Sequence, residues 1–270
     1  MMHEYARTLV VKYGGGAMRG CGGGEVDPVL AELAMLRAAG SAVVLVHGGG
    51  PEIDSALAEL GISTSRVDGL RVTDAATLRV TEAVLCASIN KRIVRGALAL
   101  GMPAVGLSGQ DGGMLIAERA VGLHGEDLGY VGQIVSTDVR PLRALLDAGL
   151  LPVVAPLAVA RSGDHAYNVN ADLAAAALAG ALRADVFVAI TNVPRVFRDP
   201  SDPSSGIDAF TPEDALRFAA GETCRSSMKP KLLAAAGAVR DGAATAYICS
   251  VKPNAIAAAI RGEATMIRAA

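Results

Sequence analysis

Tryptophan is absent from this 270-residue chain, and aromatic residues make up only 3% of it. That excludes an aromatic-rich recognition surface. The formal net charge is only −2, so no global field draws the chain toward nucleic acid or an anionic membrane. The four cysteines, Cys21, Cys86, Cys224 and Cys249, lie far apart with no Cys-x-x-Cys spacing, which argues against a disulfide framework or a zinc site. Reduced thiols in the cytoplasm are the better expectation. No apolar run reaches membrane-spanning length, and the first residues show no signal-peptide core.

What the chain does have is small apolar side chains. Half the residues are hydrophobic, at 51%, and alanine and glycine abound, as expected of helices packed closely on a sheet. The length allows one large domain or two lobes.

Two short glycine runs carry most of the functional signal. Thr8-Leu9-Val10-Val11 leads into Lys12-Tyr13-Gly14-Gly15-Gly16, and Ala42-Val43-Val44-Leu45-Val46 leads into His47-Gly48-Gly49-Gly50-Pro51. A β-branched run ending in glycines reads as a buried strand that delivers bare backbone to a ligand. Pro51 suits the first turn of a helix, whose free amides form an anion site, and Lys12 adds a positive charge. Neither run is a Walker A loop, since no Gly-Lys-Ser/Thr follows, and neither completes a dinucleotide fingerprint. Phosphate or carboxylate is the expected guest. His47, ending a buried strand, reads as packed and hydrogen-bonded rather than as a ligand.

Strand-like and helical runs alternate along the chain. Helices are expected from Asp27-Pro28 to Gly40, from Pro51 to Gly61, and from Thr73-Asp74 to about Gly101. Further helices are expected at 142–148, after Asn168-Val169-Asn170-Ala171-Asp172 as far as Leu182, and at 212–220, 230–239 and 253–260. Strands are expected at 104–107, 151–155, 186–190 and 244–249. The segments 114–117 and 130–135, with the turn at Ser162-Gly163-Asp164, look like hairpins laid over the main sheet. The expected fold class is α/β, a mostly parallel central sheet sandwiched between helices with inserted β-hairpins. Residues 199–206 read as a surface loop.

In this order the motifs resemble those of the amino acid kinase family, and most closely its acetylglutamate kinase branch. The resemblance rests on Lys12-Tyr13-Gly14-Gly15, Val46 to Ile53, Gly69-Leu70-Arg71-Val72-Thr73-Asp74, and Gly106-Leu107-Ser108-Gly109 with Asp111-Gly112. Asn168 to Asp172, and Met228 with Pro230-Lys231, complete it. It implies ATP-dependent phosphorylation, with Mg²⁺, of the side-chain carboxylate of N-acetyl-L-glutamate in arginine biosynthesis. It also implies one domain of two lobes, acceptor-binding over about 1–167 and nucleotide-binding over about 168–270. By the same resemblance Lys12 and Lys231 stabilise the transition state and Asp172 organises them. Gly15, Gly49, Gly50, Arg71 and Asn168 hold the acceptor, while Gly14, Thr191, Asn192, Phe197 and Met228 contact the nucleotide. No protein side chain is expected to ligate a metal. A cytoplasmic homodimer formed through the acceptor lobes is expected. The first strand begins by about Thr8, leaving little room for the extra N-terminal helix of arginine-inhibited hexamers, so insensitivity to arginine is expected too.

The chemistry suits these groups. A glutamate-type carboxylate is ionised at neutral pH, with a pKa of about 4.3, and attacks phosphorus without a general base. The obstacle is repulsion between two anions, which ammonium groups, glycine amides and Mg²⁺ offset. Arg71 can hold the second carboxylate through a bidentate fork. Each residue also has an ordinary alternative: Arg71 paired with Asp74 at the surface, or Asn168, Asn170 and Asp172 as a turn and helix cap.

The chain departs from the family pattern at Gln110, where lysine is usual, at Asn192 and Arg195, where aspartate and glycine are usual, and at Ser226-Ser227 and Lys229. These changes, with Asn90-Lys91-Arg92, lean toward a carrier-protein-dependent aminoadipate kinase. A non-catalytic amino-acid sensor and, more weakly, a nucleotide-dependent oxidoreductase stay open at this point.

Overall fold

The two apolar runs that precede the glycines form adjacent parallel strands, β1 (Thr8–Tyr13) and β2 (Ala42–His47). The computed structural model describes residues 7–14, 26–67, 69–221, 223–225 and 227–270. Gly15, Gly16, Cys21 and Ser226, on which parts of the sequence reading fell, lie outside the described residues.

Between these strands runs α1 (Pro28–Ala38), and α2 (Gly50–Glu59) follows β2 at once. Asp27 caps α1 by accepting from the amides of Val29 at 2.9 Å and Leu30 at 3.0 Å, and Pro28 sits in the first turn. A two-stranded ribbon, β3 (Arg66–Val67) and β4 (Leu70–Arg71), comes next. The long helix expected from Asp74 is present, capped by Asp74 on the amide of Thr77 at 2.7 Å. It is not uniform: α3 (Ala75–Glu82) passes through a π-helical segment, Ala83–Ile89, into α4 (Asn90–Ala99).

The remaining elements are β5 (Ala104–Ser108), β6 (Leu115–Val121), β7 (Asp127–Thr137), α5 (Arg140–Asp147), β8 (Leu151–Ala155), β9 (Leu157–Ala160) and β10 (Ala166–Asn168). They are followed by α6 (Ala171–Leu182), β11 (Val186–Thr191), β12 (Ala209–Phe210), α7 (Pro212–Ala220), α8 (Lys229–Arg240), β13 (Thr245–Ser250), α9 (Ala255–Ala258) and β14 (Thr265–Arg268).

Eight described strands form one sheet in the order β12-β14-β13-β11-β1-β2-β8-β5. Pairing is parallel from β13 through β5, and only β14 runs antiparallel to its neighbour β13. Both faces are covered, which explains why the strands read as continuous apolar runs. Leu9, Val11, Val43 and Leu45 belong to the core on one face, with α1, α2 and α4; Val10, Val44 and Val46 belong to the other, with α6 and α8. The small residues of α6 let α8's end approach closely: a Cβ on Gly180 would lie 2.7 Å from that of Asp241. The α/β sandwich expected from the sequence is therefore the fold. The inserted section differs from simple hairpins laid on the sheet. The β6–β7 hairpin forms, but β9 and β10 close it into a four-stranded barrel, with β10 parallel to β7.

Parallel strands end at the same edge. β1 lies between β2 and β11, so the chain leaves it for the two halves of the sheet in opposite directions. The crevice beyond the carboxyl ends at such a switch point is where α/β sheets bind ligands.

Candidate active site

Lys12 is the next-to-last residue of β1, registered between Val46 of β2 and Ala189 of β11. Its backbone is fixed by two ladders, and its side chain is buried. The amino end of α6 points at the same crevice. Asn170 caps that helix, accepting from the amides of Asp172 at 2.9 Å and Leu173 at 3.2 Å, so the cap reading for Asn170 holds. The cap fixes the first turn and turns Asp172 toward β1. Asp172 Oδ1 then lies 3.0 Å from Lys12 Nζ, and Asp172 Oδ2 lies 3.7 Å from Lys231 Nζ, in the first turn of α8. The contact at Oδ1 is ionic rather than a directed hydrogen bond. Lys231 also donates to the carbonyl of Ser227 at 3.2 Å. Burial pushes the Lys231 ammonium below the ordinary lysine pKa; Asp172 opposes that shift, and Lys12 adds to it. Three residues drawn from β1, α6 and α8 thus make one ammonium–carboxylate–ammonium bridge.

A cavity opens on each side of the bridge. The first, of about 200 Å³, is lined by Lys12, Gly49, Gly50, Arg66, Arg71, Asn168 and Asp172 among others. Gly49 has no room for a side chain, because a Cβ would come within 2.2 Å of Ile89 Cδ1. Gly50 opens α2, where free amides and the helix dipole favour an anion. Arg71 is buried, and its partner is Asp54 rather than Asp74, which is occupied as the cap of α3. Its Nη1 donates to Asp54 Oδ1 at 2.5 Å and its Nη2 to the carbonyl of Gly50 at 3.2 Å. Asp54 also pairs with Arg66 at 3.0 Å. Partial burial raises the Asp54 carboxyl's pKa, but the bonds and charges of Arg71 and Arg66 outweigh it and leave it below the usual range. Asn168 donates to Thr73 Oγ1 at 3.3 Å, and Thr73 donates on to the carbonyl of Arg71 at 2.8 Å.

The second cavity, of about 230 Å³, is lined by Thr191, Asn192, Phe197 and Met228, together with Arg195, Phe218, Arg225 and Lys231. The Thr191 hydroxyl folds back, accepting from the amide of Val193 at 2.9 Å. Arg195 pairs with Asp208 at 2.6 Å across Gly206, where a Cβ would lie 2.4 Å from Arg195 Cδ.

The structure therefore brings together most residues singled out from the sequence. Gly14 is the exception: it packs on Gly48, 2.9 Å from an added Cβ to Gly48 N, and lines neither cavity. Sequence reading missed Arg66 and Asp54, which look like ordinary exposed residues of a ribbon and a helix. The one available clue was the pair of arginines bracketing Gly69. It also missed Arg225.

Two cavities that meet at one pair of ammonium groups, Lys12 lining the first and Lys231 the second, have the arrangement of a phosphotransferase site, which must bring two anions together. The chain belongs to the amino acid kinase family, whose model matches residues 7–250. It is 44% identical over 228 residues to the acetylglutamate kinase of Methanopyrus kandleri, covering 83% of this chain and 90% of that one. To the acetylglutamate kinase of Rubrobacter xylanophilus it is 42% identical over 256 residues, covering 95% and 94%. Among solved structures it resembles the N-acetylglutamate synthase of Neisseria gonorrhoeae complexed with coenzyme A and N-acetyl-glutamate, at a TM-score of 0.80 and 25% identity. That match covers 100% of this chain and 61% of the synthase, so the chain spans less than two thirds of that protein.

Proposed function

We propose that this enzyme transfers the γ-phosphoryl group of ATP to the side-chain carboxylate of N-acetyl-L-glutamate, forming an acyl phosphate for arginine biosynthesis. The observation that carries the reading is the Lys12–Asp172–Lys231 bridge, with a glycine- and arginine-lined cavity on one side and a larger apolar one on the other. The relatives named acetylglutamate kinase support the same acceptor.

The acceptor occupies the first cavity, in a lobe of about 1–167. Arg71 and Asn168 hold its α-carboxylate end, and the amides of Gly49 and Gly50 face its reacting carboxylate. ATP occupies the second cavity, in a lobe of about 168–270, near Thr191, Asn192, Phe197 and Met228. The carboxylate attacks in line without a general base. Lys12 and Lys231 offset the negative charge that gathers between nucleophile and leaving group, and Asp172 keeps both ammonium groups in place until the phosphates arrive.

Mg²⁺ fits this reading as part of the nucleotide substrate. Among the described residues no cluster of three Asp, Glu, His or Cys side chains is placed to cage a metal. Asp172, the carboxylate beside the transfer path, is taken up by two ammonium groups. Mg²⁺ commonly keeps its waters and binds substrate phosphates, and it supplies charge neutralisation there.

The residues Asn90, Lys91 and Arg92, which leaned toward a carrier-linked acceptor, do not line the acceptor cavity. Free N-acetylglutamate is therefore kept as the substrate. A hydroxylamine-trapping assay with ATP and N-acetylglutamate, glutamate, aspartate or a carrier-linked aminoadipate tests this. Product with the carrier-linked acceptor alone overturns the substrate, and no ATP turnover with any of them overturns the kinase. A cytoplasmic homodimer belongs to the same proposal, since many enzymes are two-fold dimers. A hexamer by light scattering overturns that part.

A further inference from the structure

His47 has no part in the reaction as described, yet it is fully buried at the end of β2, directly before the glycines. Two contacts fix its ring. Nδ1 lies 3.0 Å from the carbonyl oxygen of Gly48, and Nε2 lies 3.2 Å from Asn90 Nδ2. Asn90, itself buried at the start of α4, has Nδ2 2.8 Å from the carbonyl of Val153 and 3.2 Å from that of Leu107. The amide nitrogen has only two hydrogens for these two carbonyls and His47 Nε2, so Asn90 does not by itself fix the ring; the Gly48 carbonyl does, because it can only accept. The ring proton then sits on Nδ1 and is donated to Gly48. Burial holds the imidazole pKa down to about 4; the Gly48 carbonyl opposes that shift, and the charges of Arg92 and Lys91 assist it. The ring stays neutral in this one tautomer across the physiological range.

The consequence falls on the next amide. The Gly48–Gly49 peptide is trans and planar, so its C=O and N–H point in opposite directions. Glycines offer no side chain to hold such a peptide plane against rotation. Gly49 lines the acceptor cavity at the mouth of α2. We propose that His47 is a positioning residue: by holding the Gly48 carbonyl, which also sets its tautomer, it aims the Gly49 N–H at the acceptor oxygen on which charge develops. This rests on the phosphotransfer reading above. A donor aimed before reaction needs no reorganisation during it.

Two substitutions separate this role from simple packing. In His47→Asn the amide nitrogen stands near the Nδ1 position and can still donate to Gly48. In His47→Gln it stands near Nε2 and cannot. We expect His47→Asn to keep most of kcat. His47→Gln should lose about 10-fold or more, on the lower side of the roughly 10²-fold cost of deleting an oxyanion donor, with KM for ATP unchanged. Urea midpoints should fall similarly in both. Equal kcat in the two variants would overturn the proposal. Wild-type protein inactive toward every acceptor would instead sink the kinase reading. Nitrogen-15 correlation spectra of the wild-type histidines test the tautomer without any variant. A protonated Nδ1 and bare Nε2 on His47 are expected, and a protonated Nε2 refutes the arrangement.

Discussion

Replacing Asp172 by asparagine removes one negative charge from between two ammonium groups while keeping the side chain's shape. The side chains of Lys12 and Asp172 are each 8% exposed and that of Lys231 22%, so water screens the first pair poorly and the second better. At an effective dielectric constant of about 20, the 3.0 Å and 3.7 Å separations correspond to gross attractions of roughly 5.5 and 4.5 kcal/mol. Desolvation of three ions offsets most of that. Removing one partner of a buried pair costs about 3–5 kcal/mol, and the exposure of Lys231 argues for about 3. At about 2–4 °C per kcal/mol for a chain of this size, Tm should fall by roughly 6–12 °C. Because both lysines lose their anchor, kcat should fall by about 10²-fold. The discriminating measurement is Tm with and without a non-hydrolysable ATP analogue. Its phosphates return negative charge to the ammonium groups, so the gap between variant and wild type should narrow. An unchanged Tm, or a gap indifferent to nucleotide, would refute the idea that Asp172 holds the place of an incoming anion.

Replacing Lys12 or Lys231 by alanine should lower kcat at least about 10²-fold, read in the hydroxamate assay; near-normal kcat in either variant removes that residue from the transition state. Arg71→Ala should raise KM for the acceptor about 10- to 100-fold, the loss of a charge-assisted contact of about 1.5–3 kcal/mol, and leave KM for ATP nearly unchanged. An equal effect on ATP would put Arg71 at the wrong end of the site. Glu32 is buried and accepts from the amides of Ile256 at 3.0 Å and Ala257 at 2.8 Å, capping α9 from the far end of the sequence. Glu32→Ala should therefore cost about 2–4 kcal/mol in urea unfolding without changing kcat below the transition; an unaltered midpoint would count against the cap. The depressed pKa of Lys231 has a kinetic sign. Its ammonium is lost as pH rises, so kcat should decline at a lower pH than for an exposed lysine of about 10.4, and Lys231→Arg should remove that limb.

Much of this was legible in the sequence because the devices are local. Asp27, Asp74 and Asn170 announce the helices they cap, and each does so through hydrogen bonds within three residues. Lys12, Gly49, Asn168 and Asp172 stand at strand or helix ends, where apolar runs stop and chemistry begins. What escaped depends on contacts distant in sequence. Closing the barrel requires Asn168 to pair with Val131, and nothing near either residue signals it. β14 lies between the two-residue edge strand β12 and β13, which it meets antiparallel across a short helix, and its four residues are too few for a periodic signal. Glu32 lies between Leu30 and Leu33 like any solvent-facing residue, and only its meeting with α9, more than two hundred positions on, makes it a core residue. The partner of Arg71 was missed for the same reason: Asp74 is near in sequence, but Asp54 is near in space.

The π-helical segment Ala83–Ile89 has a consequence for how the chain tolerates changes in length. A wider turn accommodates one residue beyond the α-helical count, and one residue corresponds to about 100° of rotation about the axis. Above it, α3 turns Thr77, Leu78 and Thr81 inward; below it, α4 presents Asn90, Ile93 and Ala97. Because the wide turn absorbs its extra residue locally, deleting one residue from the segment would restore regular winding and leave both faces in phase. Asn90 would keep its bond to the carbonyl of Val153, and α3 would keep its threonines in the core. Leu85 and Ile89, which close over Gly49, lie inside the segment and would move with it. The flanks of this helix thus tolerate the loss of one residue, and it is the glycine at the head of α2 that feels the change.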